Sequence, residues 1–331
     1  MRYLYIIITS LLLVSCENAL MEDESTHSPA VNYEFLYNEV KAYYPYLEYK
    51  NIPWENLDAT WRTQLGEEMS DEELFDLFSQ MLHELKDGHV MLQSHNQTYH
   101  YFIPGASNFD LNLVRQNYLQ NSAGYYQQNG AFSYGILPSG IGYIYYPSFE
   151  SRISRIDYIL DYFRANEVNA IILDIRNNSG GSTANVTGLA AKFTEKRFHG
   201  GYTIFKRGEN SQTEKLNIYV ESSHMAWTSP VVILTNKGTY SAASYFTQII
   251  KELGHVTVIG DTTGGGGGMP IERVMPNGWL LKLTQSAFHG VDGFNIENGV
   301  PPHIYQSLTP ESQAEGKDNI IERAILEIEQ M

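Results

Sequence analysis

Residues 231–243 read VVILTNKGTYSAA, which predicts a short apolar strand, a turn around Gly238 and the start of a helix. A strand without charged residues is typical of a sheet that is covered on both faces. Ser241 lies where the turn meets the helix, beside backbone N–H groups that a helix start leaves without intrahelical partners. Such groups favour a developing oxyanion, so Ser241 is a candidate nucleophile, although an ordinary helix N-cap would use the same residue.

The alternation of strand and helix continues on both sides of this stretch. Further predicted strands are Ile141–Tyr146, Ala170–Ile175 and Val256–Ile259. Predicted helices are Ile153–Ala165, Ala184–Phe193 and Ala242–Leu253. After Gly268 the pattern becomes β-rich, with predicted strands at Ile271–Val274 and Trp279–Leu283. Short apolar strands between helices indicate an α/β fold, here with a mixed sheet.

A second turn follows the predicted strand Ala170–Ile175 and contains the pair Gly180-Gly181. Paired glycines let a substrate backbone approach closely and leave N–H groups free to donate. If the two strands run parallel, this turn and the turn before Ser241 lie at the same carboxyl edge of the sheet. The run Gly264–Gly268 is not a phosphate-binding loop, because neither Gly-Lys-Ser/Thr nor a helix follows it. We expect a mobile loop there, at the border of a cleft.

Three helical patterns precede the sheet. They run from Val31 to Tyr44, from Trp54 to Leu65, and from a capping box at Ser70 and Glu73 to Gly88. They predict a small N-terminal helical cap over residues 30–87. A predicted strand from His89 to Leu92 follows the cap.

Composition excludes several classes of protein. The 331 residues include 22 Lys and Arg against 38 Asp and Glu, a net charge of −16, which argues against a nucleic-acid partner. A hydrophobic fraction of 43% argues against wholesale disorder. The single cysteine excludes an internal disulfide and a Cys-x-x-Cys metal cluster. Separately, no motif in the sequence implies a metal or an organic cofactor.

That cysteine, Cys16, follows an apolar run and the residues Leu13-Val14-Ser15. The run is too short to span a membrane, and its ending resembles a bacterial lipobox. We expect residues 1–15 to be a lipoprotein signal peptide, Cys16 to carry the lipid anchor, and residues 16–29 to form an acidic tether. A cleaved secretory peptide with an incidental cysteine is the alternative.

Six ordered blocks between residues 30 and 310 resemble the S41 family of serine peptidases, which comprises the C-terminal processing proteases and their tricorn-core relatives. The blocks are Leu82-His83-Glu84-Leu85-Lys86-Asp87-Gly88-His89-Val90, Ile141-Gly142-Tyr143-Ile144, Leu173-Asp174-Ile175-Arg176-Asn177-Asn178-Ser179-Gly180-Gly181, Gly238-Thr239-Tyr240-Ser241-Ala242-Ala243, Gly260-Asp261-Thr262-Thr263-Gly264-Gly265 and Glu297-Asn298-Gly299-Val300-Pro301-Pro302. The resemblance implies a crotonase-like ββα core for residues 88–331, with Ser241 as nucleophile. It also implies an oxyanion hole from the N–H of Ala242 with that of Gly180 or Gly181.

The sequence departs from the processing proteases at the base. Their lysine position falls at Gly266, so a Ser-Lys dyad is absent. The tricorn branch uses a histidine and a glutamate instead, and His89 and Glu297 stand at the matching places. The resemblance thus implies a Ser241-His89-Glu297 triad, whose chain order is admissible because triads are defined by geometry. A structural histidine and a solvated loop carboxylate are the alternative roles of His89 and Glu297.

A second departure is length. Only about fifty residues separate Leu92 from Ile141, which is too few for the PDZ domain that many processing proteases carry there. The prediction is therefore a lipid-anchored serine endopeptidase without a PDZ domain, located at a bacterial cell envelope and acting on peptides or unfolded proteins. The alternative, favoured by the missing lysine, is an inactive peptide- or ligand-binding lipoprotein on the same scaffold.

Overall fold

A computed structural model describes residues 24–102, 108–127, 131–208 and 213–331. Cys16 and the predicted signal peptide lie outside the described residues. The chain divides into two units, residues 1–101 with 270–284 and residues 102–269 with 285–331. The domain boundaries predicted above stay predictions, and each unit is described by itself.

The described chain begins with three helices, and strands and helices are mixed from residue 91 onwards. The helices are α1 (Pro29–Tyr43), α2 (Trp54–Arg62), α3 (Asp71–His83), α4 (Leu111–Leu113), α5 (Ile156–Ala165), α6 (Thr183–Ala190), α7 (Ala242–Ile250), α8 (Pro310–Ala314) and α9 (Asn319–Glu329). The strands are β1 (Met91–Gln93), β2 (Thr98–His100), β3 (Ala123–Gln127), β4 (Ser133–Ile136), β5 (Gly142–Tyr145), β6 (Ile171–Asp174), β7 (Phe198–Phe205), β8 (Glu214–Val220), β9 (Val231–Thr235), β10 (Val256–Gly260), β11 (Pro270–Val274), β12 (Leu280–Thr284), β13 (Ser286–His289) and β14 (Ile304–Tyr305). Short 3-10 turns cover Glu24–His27, Ala191–Phe193 and Ile296–Asn298, and a π-helical stretch covers Val114–Leu119.

The first unit combines α1 to α3 with a four-stranded antiparallel sheet of order β11-β12-β1-β2. The predicted capping box starts α3, since Ser70 accepts the N–H of Glu73 and the Glu73 side chain accepts the N–H of Ser70. Helix α3 buries its apolar face through Leu74, Leu77, Phe78 and Met81. The strand predicted from His89 begins two residues later, at Met91, so His89 lies in the turn between α3 and β1.

The second unit is built on a seven-stranded sheet of order β14-β10-β9-β6-β5-β4-β3. Strands β5, β6, β9, β10 and β14 run parallel, and β3 and β4 are antiparallel. One apolar cluster packs α5, α6 and α7 against the sheet, and a second packs α9 on the other face. The mixed sheet and the α/β class predicted from the sequence are thus confirmed.

The register brings the ends of two parallel strands together. Asp174, the last residue of β6, pairs with Leu234 of β9, so the turns that follow these strands start at the same edge. Behind this edge the fully buried guanidinium of Arg176 donates to Asp174 and, over 2.8 Å, to Asp318 at the start of α9. Buried charges persist in proteins when they are paired in this way.

A three-stranded sheet of order β13-β7-β8 also belongs to the second unit, and the sequence did not predict it. Strand β8 shows why, because six of its seven residues are exposed or half-buried and the alternation of Leu216, Ile218 and Val220 spans only five residues. Within the described residues, every helix is too short or too polar to cross a membrane.

Candidate active site

Ser241 occupies the tight turn between β9 and α7. Its backbone adopts φ 53° and ψ −123°, a conformation that residues with side chains rarely take and that costs of order 1–3 kcal/mol. The Ser241 N–H donates to the Gly265 carbonyl over 2.8 Å, which holds the turn. The Ser241 side chain makes no capping bond to α7, so the ordinary N-cap role is excluded. A strained serine at a strand-to-helix turn is the geometry of a nucleophile.

Backbone donors lie beside Ser241. The N–H of Ala242, the first residue of α7, has no hydrogen-bond acceptor among the described residues, and neither has the N–H of Gly181. The N–H of Gly180 donates to Asn178 Oδ1 over 2.9 Å. Of the two glycines proposed for the oxyanion hole, Gly181 is therefore the one with an N–H left to donate.

Gly180 itself packs directly against Ser241. Its φ is +100°, and a Cβ added there would lie 2.8 Å from the Ser241 Cβ and 2.9 Å from the Ala242 nitrogen. No side chain fits this contact. The paired glycines were predicted to allow the close approach of a substrate backbone. At Gly180 the group that approaches closely is the Ser241 turn.

Two asparagines join the turn after β6 to the turn after β9. Asn236 Nδ2 donates to Asn177 Oδ1 over 2.9 Å, and Asn236 Oδ1 accepts the Asn177 N–H. The Thr239 hydroxyl donates to the Ile175 carbonyl over 2.9 Å. Because Asn236 and Thr239 are fully buried, these bonds fix the two turns relative to each other.

The glycine run 264–268 is buried for most of its length and extensively hydrogen-bonded, so the expectation of a mobile loop is wrong. Gly264 donates to the Thr239 carbonyl over 2.7 Å, and Gly265 accepts from Ser241. Gly266, at φ +74°, lies against the Tyr240 ring so closely that a Cβ would overlap it. Glycine is required here for contact and backbone conformation, and flexibility is not its role.

Glu297 lies in the 3-10 turn 296–298 and is 6% exposed, which excludes the solvated-carboxylate alternative. Its Oε2 accepts the Gly267 N–H over 3.0 Å, and its carbonyl accepts the Gly266 N–H over 3.3 Å. Because Gly265 accepts the Ser241 N–H, the three consecutive glycines 265–267 connect Glu297 to the Ser241 turn.

His89 belongs to the first unit. The backbone N–H of His89 donates to Asp87 Oδ1 over 2.9 Å, and the ring Nδ1 of His89 lies 3.8 Å from the same oxygen. The Thr284 hydroxyl donates to Asp87 Oδ2 over 2.8 Å, so the Asp87 carboxylate is held in position next to His89. Burial lowers the pKa of His89 below 6.5, Asp87 opposes the shift, and Lys282 and Lys50 add to it. The imidazole is accordingly neutral at pH 7, as a general base must be.

The structure thus brings Ser241, Gly180, Gly181 and Ala242 together and joins Glu297 to them through the glycine run. The pairing of His89 with Ser241 and Glu297 stays a prediction. His303 accepts the Val258 N–H at Nδ1, which is a structural role. Within the described ranges no group of three or more His, Cys, Asp or Glu side chains is placed to hold a metal ion.

Sequence reasoning missed two residues of this region, Asp87 and Asn178. Both lie inside the blocks that carry the family resemblance, Asp87 two residues before His89 and Asn178 two residues before Gly180. Their position in the sequence could have identified them, because a short polar side chain next to a candidate site often hydrogen-bonds the backbone of the adjacent turn.

Two models of protein families match parts of this chain. Residues 140–306 match the sequence model of peptidase family S41, and residues 26–83 match that of the tricorn protease C1 domain. A solved structure of a candidate peptidase from Parabacteroides merdae ATCC 43184 is similar to this chain, with 32% identity and a TM-score of 0.82. That similarity covers 91% of this chain and 96% of the other.

More distant relatives share the fold or part of the sequence. Mature CPAF has a TM-score of 0.67 at 12% identity, over 92% of this chain and 98% of that chain, which shows the fold alone. The "Probable CtpA-like serine protease" of Staphylococcus haemolyticus (strain JCSC1435) is 33% identical over 149 residues. That match takes in 43% of this chain and spans only 29% of the length of the curated relative.

Proposed function

Because the chain belongs to peptidase family S41, we propose that it is a serine endopeptidase that hydrolyses peptides or unfolded proteins through Ser241, His89 and Glu297. The observation that carries the proposal is the Ser241 turn. Its backbone is strained, its hydroxyl does not cap the helix, and two N–H groups beside it have no acceptor among the described residues. Together these features supply a nucleophile and a site for an oxyanion.

The proposed reaction has two halves. Ser241 Oγ attacks the scissile carbonyl carbon while His89 takes the hydroxyl proton, and the N–H groups of Gly181 and Ala242 stabilise the oxyanion. His89 then gives its proton to the leaving amine, and an acyl-enzyme remains. A water molecule, deprotonated by His89, releases the acid and restores Ser241. Glu297 is proposed to hold the imidazole tautomer and to stabilise the imidazolium.

The rival function is a peptide-binding protein without catalysis, which the glycine in place of the dyad lysine favours. Covalent labelling separates the two. If the chain is a peptidase, a fluorophosphonate should label the wild-type protein and not the Ser241→Ala variant. The wild-type protein should also cleave an unstructured protein, and Ser241→Ala should not. Ser182→Ala is the matched control, because Ser182 also precedes a helix without capping it. Its labelling should equal that of wild type. A folded wild type that neither labels nor cleaves would support the binding protein.

We also propose that the protein is exported and anchored to a cell-envelope membrane by a lipid on Cys16. The lipobox-like sequence before Cys16 supports this proposal. Two acyl chains give stable anchoring where one is marginal, so Cys16→Ser should move the protein from the membrane fraction to the soluble fraction. Ser15→Ala keeps a small residue before the cysteine and should leave the protein in the membrane fraction. Membrane retention of Cys16→Ser would contradict the anchor.

A further inference from the structure

Asn178 is a fully buried amide at the centre of the turn after β6. Its Nδ2 donates to the Tyr146 carbonyl over 2.9 Å, and its Oδ1 accepts the Gly180 N–H over 2.9 Å. Its own carbonyl accepts the Tyr240 N–H over 2.9 Å. One residue therefore connects the end of β5, the paired glycines and the residue before Ser241.

The peptide group that joins Gly180 to Gly181 comes directly after the Gly180 N–H that Asn178 holds. The Gly180 carbonyl accepts from the Phe149 N–H over 2.8 Å and from the Ser148 hydroxyl over 3.2 Å. In a trans peptide the carbonyl and the following N–H point in opposite directions, so the Gly181 N–H points away from Phe149 and Ser148. The Phe149 N–H and the Ser148 hydroxyl hold the carbonyl of this peptide, and Asn178 holds the peptide before it through the Gly180 N–H.

We infer that Asn178 is a positioning residue that orients the Gly181 N–H for the oxyanion of the reaction proposed above. The inference rests on that proposed function. A short amide suits this role because it donates at one end and accepts at the other without titrating. The proposal predicts that changes at Asn178 act on the turnover step, where the oxyanion develops, more than on ground-state binding.

Asn178→Asp tests the role most sharply. The carboxylate still accepts the Gly180 N–H, but it cannot donate to the Tyr146 carbonyl, and it brings a negative charge close to the developing oxyanion. Loss of one oxyanion donor costs about a hundredfold or more in kcat. We expect kcat for a peptide substrate to fall by about that factor, with KM within about twofold of wild type. The rate of phosphonate labelling should fall in parallel.

Asn32 provides the matched control for a purely structural role. It is also fully buried, its Nδ2 donates to the Thr26 and Ser28 carbonyls over 2.7 and 3.0 Å, and its Oδ1 accepts the Asn277 N–H over 3.0 Å. Asn32→Asp should lower the melting temperature as Asn178→Asp does, with kcat close to wild type. If Asn178→Asp and Asn32→Asp lost kcat in the same proportion to their loss of melting temperature, the inference would be overturned.

Asn178→Ser is the second variant, since a hydroxyl is uncharged and both donates and accepts. It should retain more kcat than Asn178→Asp at unchanged KM. Wild-type kcat in either folded Asn178 variant would overturn the inference while leaving the proposed function intact. Unfolding of both variants beside a folded Asn32→Asp would also overturn it, because Asn178 would then be structural. An inactive, unlabelled wild type would instead refute the proposed function.

Discussion

His89→Ala is expected to lower kcat by about a thousandfold or more, as removal of a triad member does. The reason is that the Ser241 hydroxyl is a weak nucleophile unless a neighbouring base takes its proton. The measurement is steady-state cleavage of an unstructured protein by wild type, His89→Ala and Ser241→Ala. Within the first unit, His83→Ala removes a histidine from the end of α3 and should leave kcat unchanged.

The pH dependence gives this prediction a second measurement. Burial lowers the pKa of His89, so the neutral, active form persists below pH 6.5. As pH decreases through that lowered pKa the imidazole gains a proton, and kcat/KM should fall, with the acid limb lying below 6.5. Activity that survives in His89→Ala but not in Ser241→Ala would mean that another group is the base.

Gly266→Lys should not restore activity to His89→Ala. At φ +74° a residue with a side chain is strained, and its Cβ would overlap the Tyr240 ring beside the nucleophile. Flexibility of the loop is not the reason, because the glycines are buried and hydrogen-bonded. Recovery of cleavage in the double variant would refute this account.

Gly180→Ala is expected to lower kcat by about a hundredfold or more, because a displacement of about 1 Å at the reacting groups is enough for a loss of that size. The new methyl group would lie 2.8 Å from the Ser241 Cβ and the Tyr240 carbonyl, and 2.9 Å from the Ala242 nitrogen. None of these atoms is the far end of a flexible side chain, so the serine turn itself must move. The measurements are kcat and the rate of phosphonate labelling.

Gly140→Ala is the control for the backbone component of this effect. Gly140 also has a positive φ, +79°, but a Cβ there would meet nothing within 4 Å. Both variants should lose stability through φ strain, and only Gly180→Ala should lose turnover. Equal kcat in the two variants would show that the Gly180 contact does not shape the site.

The sequence predicted strand β9 and the start of α7 correctly, because four apolar residues and a threonine followed by a turn at Gly238 leave few alternatives. Ser241 and the paired glycines became candidates through their turns, and Glu297 became one through the family resemblance. The burial of Glu297 by its contact with Gly267 is a tertiary fact that no local pattern carries. The hydrogen bonds of the glycine run were not predictable for the same reason. Their partners, Thr239, Ser241 and Glu297, are distant in sequence.

The ion pair of Arg176 with Asp318 has a consequence for the order of folding. It joins residues 142 positions apart, and contacts of such separation form late because the chain must first close a long loop. Before Asp318 packs against Arg176, only Asp174 neutralises the guanidinium. Burial of this charge is then costly, so the segment from Arg176 to the paired glycines stays in contact with water. We therefore expect the oxyanion donors to become ordered among the last parts of the second unit. Partly folded chains would then lack peptidase activity even when strand β9 and helix α7 have already formed.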